Sequence, residues 1–131
     1  MELEVGHGHR AAGHERGAAG EEAGLAITGR TCAALAVRRN GTVNQLVFRE
    51  NGDNQIVSQS APDPLNLRVR VMDGGSCRFA FLSGNGKWET VPAIFQASAG
   101  EWIGAKVGIY SLTPDRAAQG HADFDYFRFA P

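Results

Sequence analysis

From about residue 23 onward, apolar and polar positions alternate with period two, and short clusters of Gly, Asn and Asp interrupt the alternation. That period sends successive side chains to opposite faces of an extended chain, so each run reads as a strand with one face turned to a core. The clearest case is "LNLRVRVMD", which sets Leu65, Leu67, Val69 and Val71 on one face and Asn66, Arg68, Arg70 and Met72 on the other. In "CAALAVRR" (32–39) both faces are apolar, which predicts a strand covered on both sides. It ends at Asn40-Gly41, and Asn-Gly favours the two central positions of a type I′ hairpin because both need positive φ. The next run, "TVNQLVFRE", ends at Asn51-Gly52-Asp53 and returns into "NQIVSQ", so three antiparallel strands follow one another. Asp73-Gly74-Gly75-Ser76 then leads into "CRFAFL", where Phe79 and Phe81 share a face, and Ser83-Gly84-Asn85-Gly86 leads into "KWETV".

No longer stretch keeps a helical period. About eight short strands, with Pro62, Pro64, Pro92 and Pro114 assigned to connections, predict an all-β fold, an antiparallel β-sandwich. An up-and-down barrel is the rival, but it would show strands of more equal length and a shorter connection than the one from Val91 to Glu101.

Composition changes near residue 23. Residues 1–22 contain three of the four histidines, His7, His9 and His14, and few core-forming residues. They read as a short strand and a mobile loop ahead of a sandwich domain spanning 23–131. The three histidines could capture a divalent metal, yet they lack the fourth ligand and rigid frame of a structural zinc site.

At 131 residues the chain makes one domain. Its 13 basic and 14 acidic side chains leave a net charge of -1, which gives no attraction to nucleic acid or anionic lipid. The opening "MELEVGHGHR" has neither part of a secretory leader, and no apolar run approaches the ~18 residues of a spanning helix. The expectation is a cytoplasmic domain without membrane or nucleic-acid partners. Cys32 and Cys77 are too sparse for a disulfide framework and read as free buried thiols.

The candidate chemistry gathers in "HADFDYFRF" (121–129). On a regular strand, Asp123 and Asp125 would project in parallel from one face, about 6.5 to 7 Å apart. Glycosidase carboxylates must flank the scissile bond from opposite sides, so this pair does not predict catalysis. Either aspartate could serve a structural calcium ion, but such a site needs about six to eight oxygens. Strict alternation mixes charge and aromatics on both faces of this strand. A β-bulge at Asp125-Tyr126 would turn Phe124, Phe127 and Phe129 inward and leave Asp123 and Arg128 outside; the alternative is a regular strand covered on both faces. Trp88, Trp102, Tyr110 and Tyr126 are candidates for stacking on a sugar ring, with Asp123, Asp125 and Arg128 fixing its hydroxyls. The alternative for each aromatic is core or hairpin packing, which is the favoured reading for Trp88 and Trp102.

The segments "EEAGLAITG" (21–29), "CAALAVRR" (32–39), "FAFLSGNGKWETV" (79–91), "WIGAKVGIYSL" (102–112) and "GHADFDYFRF" (120–129) together resemble the C-terminal concanavalin A-like β-sandwich of family 43 glycoside hydrolases. That is the β-xylosidase and α-arabinofuranosidase group. The resemblance implies a jelly-roll sandwich that follows a catalytic β-propeller, flanks its active site and carries no cofactor beyond a structural calcium. Nothing in this sequence resembles the propeller. The expected role is therefore non-catalytic support of a propeller supplied in cis or in trans; the alternative is a free-standing carbohydrate-binding module for xylan-derived oligosaccharides. The family's sandwich also begins earlier than Glu21. An incomplete sandwich predicts an uncovered edge prone to association.

Overall fold

The computed structural model describes residues 2–8, 21–62, 64–100, 104–112 and 123–130. Among the described residues ten strands form: β1 (Glu2–Gly8), β2 (Glu22–Thr28), β3 (Cys32–Asn40), β4 (Val43–Glu50), β5 (Asp53–Ser58), β6 (Leu65–Val71), β7 (Ser76–Leu82), β8 (Trp88–Gln96), β9 (Lys106–Leu112) and β10 (Asp123–Ala130). They pair antiparallel in two five-stranded sheets, sheet A in the order β10-β1-β6-β7-β8 and sheet B in the order β5-β4-β3-β2-β9. This is the sandwich that the period-two pattern predicts, and no described residue is helical.

Each sheet contributes one face to the core. Sheet B supplies Leu25, Ile27, Leu35, Val37, Leu46 and Phe48; sheet A supplies Leu65, Leu67, Val69, Phe79, Val91 and Phe95. Phe48 and Phe79 meet edge to face across the sandwich, with ring centres 5.5 Å apart. Since β4 thus faces β7, and β2 approaches β6, the two strand orders run alongside one another. The edge strands β9 and β10 therefore lie toward the same side of the sandwich.

Turn chemistry fixes the registers. Asn51 and Gly52 have φ of 49° and 91°, and Glu50 pairs with Asp53, as a type I′ hairpin requires. The preceding hairpin departs from expectation by one residue. Asn40 pairs with Val43, so the two-residue loop is Gly41-Thr42, and Gly41 alone takes positive φ, at 63°. A glycine at the first central position suits the type II′ geometry, so Asn40 ends the strand instead of entering the turn.

Pro92 lies within β8 and not in a connection. The strand tolerates it because β8 is an edge of sheet A and the pairing with β7 jumps between Arg78↔Ile94 and Ala80↔Thr90, leaving the stretch around Pro92 outside the ladder. The strand consequently runs to Gln96 and shortens the long connection read from the sequence. The first strand also alters the expected layout. β1 lies between β10 and β6, so sheet A includes a segment ahead of the composition change at residue 23.

In β10, Gly6 pairs with Tyr126 and His7 with Phe124, so Asp125 is the extra residue of a β-bulge. Phe124 packs against the core. Phe127 and Phe129, expected in the core, are 48% and 59% exposed. They pair with Val5 and Leu3, which in turn face Leu67 and Val69, so they do stand on the core side of sheet A. β10 is the outermost strand, and there the described residues leave the core side partly open. The strand is neither fully inward-packed nor covered on both faces. Cys32 is likewise corrected: it is a free, exposed thiol, whereas Cys77 is free and buried.

Candidate functional site

The outer face of sheet B bears a side-chain cluster that the period-two reading did not isolate. Directly paired residues share a face, so one row across the sheet runs Gly108, Ala26, Ala34, Arg49, Asn54, and the next runs Tyr110, Gly24, Ala36, Val47, Ile56. Beyond them stands Glu22, with a side chain only 1% exposed. Arg49 Nη2 reaches across β3 to within 2.6 Å of Glu22 Oε1, and Tyr110 Oη donates to Glu22 Oε2 at 2.5 Å. The two long side chains converge on the carboxylate over a strip of Gly24 and Ala36, and this cover explains why Ala36 is buried on an outer face. Gly24 is required by close strand approach as well. A Cβ there would meet the Leu35 carbonyl oxygen and lie 2.6 Å from Ala36 Cα.

Two of the five N–H groups of Arg49 are engaged among the described residues, by Glu22 and by Asn54 Oδ1 at 3.0 Å. Burial, reinforced by the bond to Glu22, raises the Tyr110 pKa well above that of a free phenol. Next to this cluster the sheet dips. A depression of about 220 Å³ is floored by Ala26 and Ala34, walled by Tyr110 and Arg49, and rimmed by Thr28, Cys32 and Asn51. The rim is held by the β4–β5 hairpin: Asn51 Oδ1 accepts from Cys32 N at 2.9 Å, and Asn51 N donates to Cys32 O at 2.9 Å.

On the outer face of sheet A a second network forms. Arg70 bonds Glu2 Oε2 through Nε at 3.1 Å and Nη2 at 2.8 Å, which holds the Glu2 carboxyl below the ordinary carboxylate range. Arg68 approaches Glu2 at 3.3 Å and Glu4 at 3.6 Å, and its guanidinium carbon lies 3.7 Å from the centre of the Trp88 ring. Tyr126 Oη donates to Glu4 Oε1 at 2.7 Å, and Arg128 sits 5.0 Å from the Tyr126 ring centre. One face each of Trp88 and Tyr126 is thus occupied by a guanidinium, as cation–π geometry favours.

The sequence-derived candidates therefore divide between opposite outer faces. Trp88, Tyr126 and Arg128 belong to sheet A, and Tyr110 to sheet B. Trp102 and the side chains of Asp123 and Asp125 lie outside the described residues, as do the side chains of His7, His9 and His14. The calcium and histidine-metal expectations lie outside the described residues with them; among the described residues no cluster suited to a metal occurs. Glu22 and Arg49 escaped notice in the sequence. The available signal was the run of small residues Gly24, Ala26, Ala34 and Ala36, which leaves room for long neighbours.

The family model for the β-xylosidase C-terminal concanavalin A-like domain matches residues 14–130 of this sandwich. The chain belongs to that family. The match takes in nine of the ten strands, from β2 to β10, and both outer-face networks apart from Glu2 and Glu4. Comparison with curated proteins returns no match.

Proposed function

We propose that the chain is a non-catalytic accessory β-sandwich of a β-xylosidase/α-arabinofuranosidase-type glycoside hydrolase, seated against a catalytic propeller supplied in cis or in trans and flanking its active site. The observation that carries this reading is the exposure of Phe127 and Phe129 on the core side of β10. Side chains in core register but uncovered by their own domain are suited to being covered by another. Ile109 on β9 adds to them: it pairs with the fully buried Leu25 yet is 42% exposed.

Three of the described carboxylates bear on the non-catalytic part. Glu2, Glu4 and Glu22 are each held by arginine or tyrosine partners. Arg70 favours the charged form of Glu2, the opposite of the setting a general acid requires. Incubation of the purified chain with an aryl β-xyloside tests the proposal. No release of the aryl group above buffer is expected, and release that Asp125→Asn abolishes would overturn it.

A further inference from the structure

We propose that the depression on the outer face of sheet B is a binding site for one neutral pyranose unit. Three features of the site carry this inference: its size, its lining and its charge. At about 220 Å³ it falls below the roughly 300–1,000 Å³ of pockets for drug-sized ligands, so a single ring is the fitting occupant. Its lining joins an apolar floor, Ala26 and Ala34, to an aromatic wall, Tyr110. A pyranose has the matching anatomy, with axial C–H groups on its faces and hydroxyls around its edge.

The polar groups stand at the margin, where those hydroxyls would fall. Arg49 keeps three N–H groups unengaged among the described residues, and Asn51 uses its side-chain oxygen on Cys32 N while its amide donors and the Thr28 hydroxyl make no bond there. Donors and acceptors are thus both available to hydroxyl groups, which act as either. Charge then selects among sugars. Glu22 neutralises Arg49 at 2.6 Å, so the site offers no net positive charge to a uronate, and a neutral ring is favoured. Glu22 acts here as a positioning residue, fixing both walls from below without facing the ligand.

Cys32 provides a direct readout, because it is an exposed free thiol on the rim while Cys77 is buried. The alkylation rate of Cys32 in the purified chain is measured against rising methyl β-xylopyranoside. The site predicts saturable protection, with the rate about tenfold lower at a ligand concentration ten times the fitted Kd. Glucuronate should protect far less. Ala26→Leu, which fills the floor, and Thr28→Tyr, which fills the rim, should each remove the sugar's effect while melting near the parent's temperature. Unchanged alkylation up to the solubility limit, or equal protection in both folded variants, would overturn the site; equal protection by glucuronate would overturn its preference for a neutral ring. Propeller docking at Phe127 and Phe129 concerns β10 of the other sheet, so failure here leaves that reading standing.

Discussion

Tyr110 and Glu22 are joined across 88 positions of sequence by a 2.5 Å hydrogen bond that ties edge strand β9 to β2. Arg49 completes the arrangement from the other side. Removing either partner is not equivalent. Arg49→Leu leaves a buried carboxylate with one remaining partner and should cost about 3 kcal/mol, because an uncompensated buried charge is expensive. Glu22→Gln keeps the shape and part of the hydrogen bonding and should cost about 1 kcal/mol. Urea unfolding of the two variants should rank them in that order.

The chain has two tyrosines, Tyr110 and Tyr126, so a spectrophotometric titration reads both without interference. Burial, with the bond to Glu4, pushes the Tyr126 pKa up to about 12, and burial with Glu22 raises that of Tyr110. The folded chain should therefore form almost no phenolate near pH 10, whereas the unfolded chain should ionise both there. The sign follows directly. A folded pKa above the unfolded one contributes stability that is complete below pH 10 and lost as pH rises through about 12. Glu2 acts oppositely: its lowered pKa contributes stability above its ordinary 4.5 that is lost as pH falls below it.

Gly24→Ala should be among the most damaging single-methyl additions. The new Cβ would meet backbone atoms of Leu35 and Ala36, which cannot rotate away, so β2 and β3 would have to separate. A loss of several kcal/mol, or failure to accumulate as soluble protein, is the expected result, read by thermal melting. Gly108→Ala, where nothing lies within 4 Å of the added carbon, is the matched control and should cost far less.

Much of the sandwich was legible because burial imposes period two on strands such as β6, and because Asn51-Gly52 accepts the two positive φ angles that its hairpin demands. What escaped was set by neighbours in space. Pro92 reads as a breaker until β8 is known to be an edge, and Phe127 reads as core until β10 is known to be one. The Asp125 bulge could be inferred because strict alternation mixed charged and aromatic residues on both faces. The Glu22–Arg49–Tyr110 cluster could not, since it joins β2, β4 and β9, which are remote in sequence, across a strand, β3, that contributes only small residues there. Tyr110 was recognised as a candidate, but its partners were not.

Phe127→Ser and Phe129→Ser should each cost about 1 kcal/mol or less, since roughly half of each side chain is already exposed. Phe79→Ala, at a fully buried position, should cost about 3–5 kcal/mol by the same chemical denaturation. The contrast separates a surface kept for a partner from one kept for the core.

Sedimentation velocity on a mixture of this chain and a β-xylosidase-type catalytic propeller, produced without its own C-terminal domain, tests the accessory role most directly. The account predicts a faster-sedimenting one-to-one complex that Phe127→Ser/Phe129→Ser dissolves while the variant's own unfolding curve stays close to the parent's. Separate sedimentation of the parent chain and the propeller, or a complex indifferent to both substitutions, would contradict it.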